Sequence, residues 1–179
     1  FNFGITTKHN LEHLEQYKKD CIEIFSLQNS KLNKLVEISK KSNSQLKQDL
    51  FVLLESDFKK DGFFVEFGAT NGVELSNTKL LESEFNWNGI LAEPAKIWHA
   101  DLKKNRKCII ETDCVWSNSN TSIDFIEEDE KKFSTSLKYH NKNKKINTKY
   151  KVNTITLNDL LKKHNAPKVI DYLSIDTEG

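Results

Sequence analysis

A carboxylate and two glycines directly follow an apolar run in the first half of the chain. The run Phe63–Val65 leads into Glu66, and Gly68 and Gly72 follow it in a turn that would join a strand to a helix. Glu66 would repel a pyrophosphate, whose sites favour negative charge and usually show a G-x-G-x-x-G spacing that is absent here. It would instead attract the ammonium of S-adenosylmethionine, with Gly68 allowing close backbone approach and Gly72 a tight helix entry. The alternative is a carboxylate that caps the next helix beside incidental turn glycines.

Acidic residues also follow the next two predicted strands. Glu93 ends the second strand, about 20 residues after the glycine turn, where an acid can accept both ribose hydroxyls of an adenosine cofactor. Asp113 is placed to accept a hydrogen bond from the adenine amino group, with Cys114 or Val115 packing on the ring. An exposed carboxylate before Pro94 and a solvated loop aspartate are the plain alternatives. Because enzymes that use NAD also have an acid at the position of Glu93, only Glu66 separates the two cofactor classes.

Two further carboxylates follow the last predicted strand, at residues 169–175. Asp176 and Glu178 would lie where open α/β sheets bind ligands. Either could orient a substrate hydroxyl or accept its proton during the transfer. The alternative is a terminal turn that is rich in acids.

Polar residues at the start of the next predicted helix have two interpretations. Ser76, Asn77 and Thr78 could contact the cofactor or substrate, or they could cap that helix, and capping is the favoured role. Among the five histidines only His9 and His13 have a spacing found in metal sites, H-x-x-x-H, and we predict no metal site.

Strands and helices must alternate to position these groups. The predicted strands share apolar runs and are 63–67, 90–93, 108–110 and 169–175. The predicted helices between them are 75–85, a helix that Pro94 opens, and 157–164, which has a capping box at Thr156. This alternation is typical of parallel βαβ units in an α/β fold.

The remaining segments have simpler patterns. Residues 114–116 and 121–126 are predicted to pair as a hairpin, and the charged residues 127–151 to form a loop or a poorly ordered segment. Residues 10–60 carry three helical patterns bounded by polar clusters. We therefore expect an N-terminal helical segment, residues 1–60, that packs on the sheet of a cofactor-binding domain, residues 61–179.

Composition excludes several classes of protein. The 179 residues have a net charge of only +1, which gives no general attraction to nucleic acid or anionic membranes. No apolar segment approaches the ~20 residues that span a bilayer. Three cysteines without C-x-x-C spacing fit a reducing, cytoplasmic location. The chain starts at Phe1, contains no methionine and stops after an apolar strand, so we expect the native protein to continue.

Several blocks together resemble the FkbM family of methyltransferases. They occur in the family's order over about residues 44–179 and comprise Ser44-Gln45 with Gln48-Asp49, Val65 to Gly72, Ser76-Asn77-Thr78, Leu81-Glu82, Trp87-Asn88-Gly89, Glu93-Pro94, Asn105-Arg106, Thr154 to Leu157, and Asp171 to Gly179. The resemblance implies a Rossmann-like class I sheet of seven strands, here truncated after the fourth core strand and preceded by N-terminal helices. It also implies methyl transfer from S-adenosylmethionine, often to a hydroxyl oxygen of a natural product or sugar.

The resemblance assigns the predicted roles residue by residue. Glu66, Gly68, Gly72 and Glu93 would bind the cofactor, Asp113 would contact its adenine, and Asp176 would lie at the junction of cofactor and substrate, with Glu178 close by. The predicted cofactor-binding set is completed by Ala69, Asn71, Asn77, Thr78, Pro94 and Cys114.

The leading hypothesis is an O-methyltransferase that aligns a hydroxyl acceptor of a small molecule or carbohydrate for in-line displacement. Two alternatives stay open: a non-catalytic interaction module with the same fold, and a nicotinamide-dependent oxidoreductase. Glu66 and the missing G-x-G-x-x-G argue against the oxidoreductase.

Overall fold

The computed structural model describes residues 8–128, 135–136 and 146–176. The chain divides into two compact units, Phe1–Lys40 and Lys41–Gly179. In the first unit, α1 (Lys8–Ser39) is one helix of 32 residues. The prediction of separate helices bounded by polar clusters is wrong here, because residues 8–39 contain no glycine or proline to end the helix.

The second unit begins with a turn and a short helix, α2 (Gln48–Glu55). Ser44 Oγ accepts a hydrogen bond of 3.0 Å from the backbone amide of Gln48 and so stabilises the start of this helix. Leu50 and Leu53 of α2 are buried. Residues 41–60 therefore contribute to the core of the second unit.

Strands and short helices alternate through the rest of the chain. The strands within the described residues are β1 (Phe63–Phe67), β2 (Asn88–Ala92), β3 (Ile109–Glu111), β4 (Cys114–Val115), β5 (Ser122–Glu128), β6 (Thr135–Ser136), β7 (Ile146–Ile155) and β8 (Tyr172–Ile175). The helices among them are α3 (Lys79–Phe85), a 3₁₀ helix (Lys96–Trp98) followed by α4 (His99–Asn105), and α5 (Leu157–Lys163). Helix α3 starts at Lys79, later than the predicted residue 75, because Leu75 forms an isolated bridge with Ser44 and residues 77–78 form a bend.

The first sheet has the order β3-β2-β1-β8, and all of its strands are parallel. This confirms the predicted α/β fold with a parallel sheet of four strands. Strand β1 is central, and its Glu66 lies opposite Leu91 of β2 and Ser174 of β8. Because the strands are parallel, the residues that follow β1, β2 and β8 meet at one edge of the sheet.

Alternate residues of β1 face opposite sides of this sheet. Val65 and Phe67 join a buried cluster that includes Ile155 of β7 and Leu160 of α5. Glu66 and Phe64 face the other side, where the Arg106 guanidinium lies 5.5 Å from the centre of the Phe64 ring. Glu66 therefore points into the protein.

The second sheet corrects two predictions. Its order is β4-β7-β5-β6, and β7 pairs in parallel with β4 and antiparallel with β5. The predicted hairpin between 114–116 and 121–126 is wrong because β7 lies between these segments. The prediction of a loop over 127–151 is also wrong in part, since residues 146–151 belong to β7. Lys149 and Lys151 concealed the alternation of β7, in which Tyr150 and Val152 belong to the second sheet's apolar cluster.

The three cysteines, Cys21, Cys108 and Cys114, are free thiols. Among the described helices, none is both long and apolar enough to cross a membrane.

Candidate functional site

The ends of three parallel strands meet around the turn that follows β1. The backbone amide of Gly68 donates to the carbonyl of Ala92, at the end of β2, over 3.0 Å. On the other side, the amide of Asp176 donates to the carbonyl of Phe67 over 3.3 Å. The turn therefore touches both neighbouring strand ends, where open α/β sheets bind ligands.

Gly68 is required by this close approach. Its φ is +76°, and a Cβ built on it would lie 2.0 Å from the carbonyl oxygen of Asp176. A side chain at this position would be strained and would also collide with the backbone.

Gly72 has a different neighbour. Its φ is also +76°, but a Cβ there would lie 2.6 Å from atoms of Leu102 and Arg106. Gly72 therefore allows the turn to pack against α4 and the residue that follows it. The helix that Gly72 was predicted to admit starts only at Lys79.

Glu66 is 2 % exposed and holds the turn before α3. Its carboxylate accepts hydrogen bonds from the amide of Asn77 over 2.9 Å and from the hydroxyls of Ser76 and Thr78. Arg106 Nη1 lies 3.9 Å from Glu66 Oε2. Burial raises the pKa of Glu66, and the hydrogen bonds and the Arg106 charge oppose that rise.

Asn77 joins this turn to two other segments. Its side-chain amide donates to Ser174 Oγ over 3.0 Å, and its side-chain oxygen accepts from Ser44 Oγ over 2.7 Å. Ser76 Oγ accepts from the backbone amide of Lys79 over 3.1 Å, whereas Thr78, which directly precedes α3, makes no side-chain capping bond.

Glu93 is also buried, with 4 % exposure, and its carboxylate joins two turns. It accepts from the backbone amides of Thr70, over 2.8 Å, and Ala95, over 2.9 Å. Burial raises the pKa of Glu93 to about 7, and the charge of Glu127 adds to the rise. A carboxylate has about four acceptor positions, and these two amides occupy two of them.

Asp113 and Cys114 follow β3 at the same edge. The Asp113 carboxylate lies 3.4 Å from Lys163 Nζ and lines an open polar depression of about 460 Å³ together with Asn120 and Asn153. Cys114 packs beside the second sheet's apolar cluster, and burial raises the pKa of its thiol to about 11. Their predicted contacts with adenine stay predictions.

The other predicted cofactor residues line the turns themselves. Asn71 Oδ1 accepts from the amides of Val73 and Glu74, each over 2.9 Å, and closes a local turn. Ala69 and Thr78 are buried, and Pro94 is half-buried beside Glu93.

The predicted catalytic carboxylates are Asp176 and Glu178. Asp176 is exposed and lies directly after β8, beside Gly68. Glu178 lies outside the described residues.

Sequence reasoning missed three groups that support this edge. Arg106 bonds to the turn before α3, and Glu111 accepts from Lys163 Nζ over 2.8 Å and from His164 Nε2 over 2.9 Å. Glu127 accepts from the amide of Ile97, over 3.2 Å, and from the Tyr150 hydroxyl. Arg106 and Glu127 lie in charged stretches, where a buried polar group has no distinct sequence signal, whereas Glu111 directly follows the apolar run 108–110. The described residues contain no group of three or more His, Cys, Asp or Glu side chains arranged to hold a metal ion.

Comparison with known proteins identifies the family. A family model described as the methyltransferase FkbM domain matches residues 66–179, which is more than half of the chain. Comparison with curated proteins and with solved structures gave no match. The matched region begins at Glu66 and contains the glycine turn, Glu93 and Asp176. The chain therefore belongs to the FkbM family of methyltransferases.

Proposed function

We propose that this chain is an S-adenosylmethionine-dependent methyltransferase that methylates a hydroxyl oxygen of a small molecule or sugar. The observation that carries the proposal is the meeting of Gly68, Glu93 and Asp176 at one edge of the parallel sheet. Gly68 contacts the Asp176 backbone, and Glu93 bonds to Thr70 in the same turn. The family supports methyl transfer.

The residues at this edge fit the proposed cofactor. S-adenosylmethionine carries an ammonium, a sulfonium and ribose hydroxyls, and carboxylates attract or accept from all of these groups. Glu66 contributes negative charge beneath the turn, and Glu93 supplies two acceptor positions for the ribose. When bound, the cofactor supplies the electrophilic methyl group.

The chain's own contribution to the reaction is positioning and proton acceptance. Asp176 is exposed at the end of β8, where a hydroxyl acceptor could approach it. We assign its carboxylate to orienting that hydroxyl and taking its proton as the methyl group transfers. Glu178 is proposed as a neighbouring carboxylate at the same junction.

The acceptor class and location are parts of the same proposal. A net charge of +1 favours a small-molecule or carbohydrate acceptor over nucleic acid, and the three free thiols favour the cytoplasm.

Calorimetric titration with S-adenosylhomocysteine tests the proposal. We expect micromolar binding by the wild-type chain, a loss of at least tenfold in Glu93→Ala, and no binding of NADH. NADH binding would favour an oxidoreductase. A folded protein that binds neither ligand would favour the non-catalytic module.

A further inference from the structure

The Arg106 side chain is completely buried although it is charged. Its Nε donates to Glu82 Oε2, and its Nη2 donates to Thr78 Oγ1 over 2.8 Å. Its Nη1 donates to the carbonyl of Gly72 over 3.1 Å and to Ser76 Oγ over 3.0 Å. A buried guanidinium is tolerated when its donors are satisfied in this way.

The neighbouring residue fixes the same segment, residues 71–79. Asn105 Nδ2 donates to the carbonyl of Asn71 over 2.9 Å, and the Asn105 carbonyl accepts from Lys79 Nζ over 3.0 Å. Asn105 and Arg106 therefore hold both ends of the segment. Since Thr70 stands directly before it and bonds to Glu93, a shift of the segment would move the proposed cofactor turn.

Arg106 also compensates the buried carboxylate of Glu66 and the partly buried carboxylate of Glu82. It bonds directly to Glu82 and lies 3.9 Å from Glu66. The Arg106 charge lowers the pKa of Glu82 and opposes the rise that burial causes at Glu66. The charge of Glu66 is felt in turn by Glu93 and Tyr172, whose pKa values it raises.

We propose that Arg106 is a positioning residue for the cofactor turn, acting through Glu66 and residues 71–79 without touching a ligand. This inference rests on the proposed function. The contacts of Arg106 explain this role, because one planar guanidinium donates to Glu82, Gly72 and Thr78 at once. The single ammonium of a lysine cannot.

The test measures S-adenosylhomocysteine affinity and thermal unfolding of the full chain in four variants. Arg106→Lys keeps the buried charge but loses the fork of contacts, and we expect its dissociation constant to rise at least tenfold while it stays folded. Lys104→Gln, an exposed change in α4, should bind as the wild type does. Glu66→Gln and the double variant E66Q/R106K then show whether Arg106 acts through Glu66. We expect the dissociation constant of the double variant to be at most about twofold higher than that of the more impaired single variant.

Each outcome decides the proposal. Wild-type binding by a folded Arg106→Lys, or additive losses in the double variant, would overturn it. If Arg106→Lys does not fold, Asn105→Ala releases Asn71 from the same anchor and carries the same expectation of weaker binding. A wild-type chain that does not bind S-adenosylhomocysteine would overturn the proposed function and this inference together, whereas equal binding by the wild type and the anchor variants would overturn this inference alone.

Discussion

The Glu93 carboxylate lies 2.8 Å from the backbone amide of Thr70 and joins the end of β2 to the turn after β1. The turn after β1 is thus held by a group that is costly to ionise in its buried position, since burial raises its pKa to about 7.

This relationship makes the stability of the protein depend on pH. Between the ordinary pKa of 4.5 and about 7, folded Glu93 keeps a proton that the unfolded chain has lost. Glu93 therefore contributes less stability as pH rises through this window. Relative to Glu93→Gln, which cannot titrate, we expect the wild type to lose up to about 3 kcal/mol of unfolding free energy between these pH values. Urea unfolding at several pH values measures the difference, and parallel curves for the two proteins would contradict it.

Gly68→Ala should be more harmful than Gly72→Ala. Both positions have φ of +76°, but the new methyl group would meet the Asp176 backbone in the first case and side-chain atoms of Leu102 and Arg106 in the second. Because a backbone carbonyl can shift less than a side chain can, we expect Gly68→Ala to lower the unfolding free energy by about 1–3 kcal/mol more than Gly72→Ala does. Equal midpoints in urea would show that the Asp176 carbonyl moves aside freely.

Glu111→Gln should destabilise the protein at neutral pH. The Glu111 carboxylate, 4 % exposed, accepts from Lys163, His164 and the amides of Thr112 and Asp113. We expect a cost of about 1–3 kcal/mol. Asp124→Asn, which removes the half-exposed ion pair of 3.3 Å with Lys149, is the control and should cost less than about 1 kcal/mol.

The contribution of Glu111 to the unfolding free energy depends on pH in the opposite direction to that of Glu93. The pKa of Glu111 is lowered by the hydrogen bonds from Lys163, Asp113 and His164, which outweigh its burial. Its contribution is therefore complete above the ordinary pKa and is lost as pH falls below it. The gap between wild type and Glu111→Gln should shrink in acid, and a gap that grows there would rule out this account.

Thr156→Ala should weaken the start of α5. Thr156 Oγ1 accepts from the amide of Asp159 over 3.2 Å, as the capping-box pattern predicted. We expect a loss of about 1 kcal/mol, recovered in Thr156→Ser, with the exposed change Asn158→Ala as the matched control. Thermal unfolding measures all three, and an unstable serine variant would point to the lost methyl group instead of the cap.

The parallel sheet could be predicted because its signals are local. Apolar runs such as 63–67 and 90–93 recur at the spacing of βαβ units, and the structure places these strands side by side. The meeting of Gly68, Glu93 and Asp176 follows from that topology alone, since parallel strands end at one edge.

What the sequence could not predict depends on distant partners. Glu66 looked like a ligand group, and only the folded chain shows that Ser76, Asn77 and Thr78 occupy its acceptor positions. Asn105-Arg106 is one of the blocks that resemble the family, but the contacts of Arg106 have no local signal, because its burial follows from packing against Gly72, which is 34 residues away. The pairing of β7 with β4 had no sequence signal either, since Lys149, Lys151 and the polar residues around them give β7 the composition of a loop.

The position of β7 also orders the assembly of the second sheet. Cys114 pairs with Thr154, so this short parallel ladder closes a loop of about 40 residues. The antiparallel pair of β5 and β7 has a longer ladder than the pair of β4 and β7, and a shorter loop joins its strands. Strand β4 can complete its ladder only after β7 is in place, so we expect this non-local pairing to form late in folding.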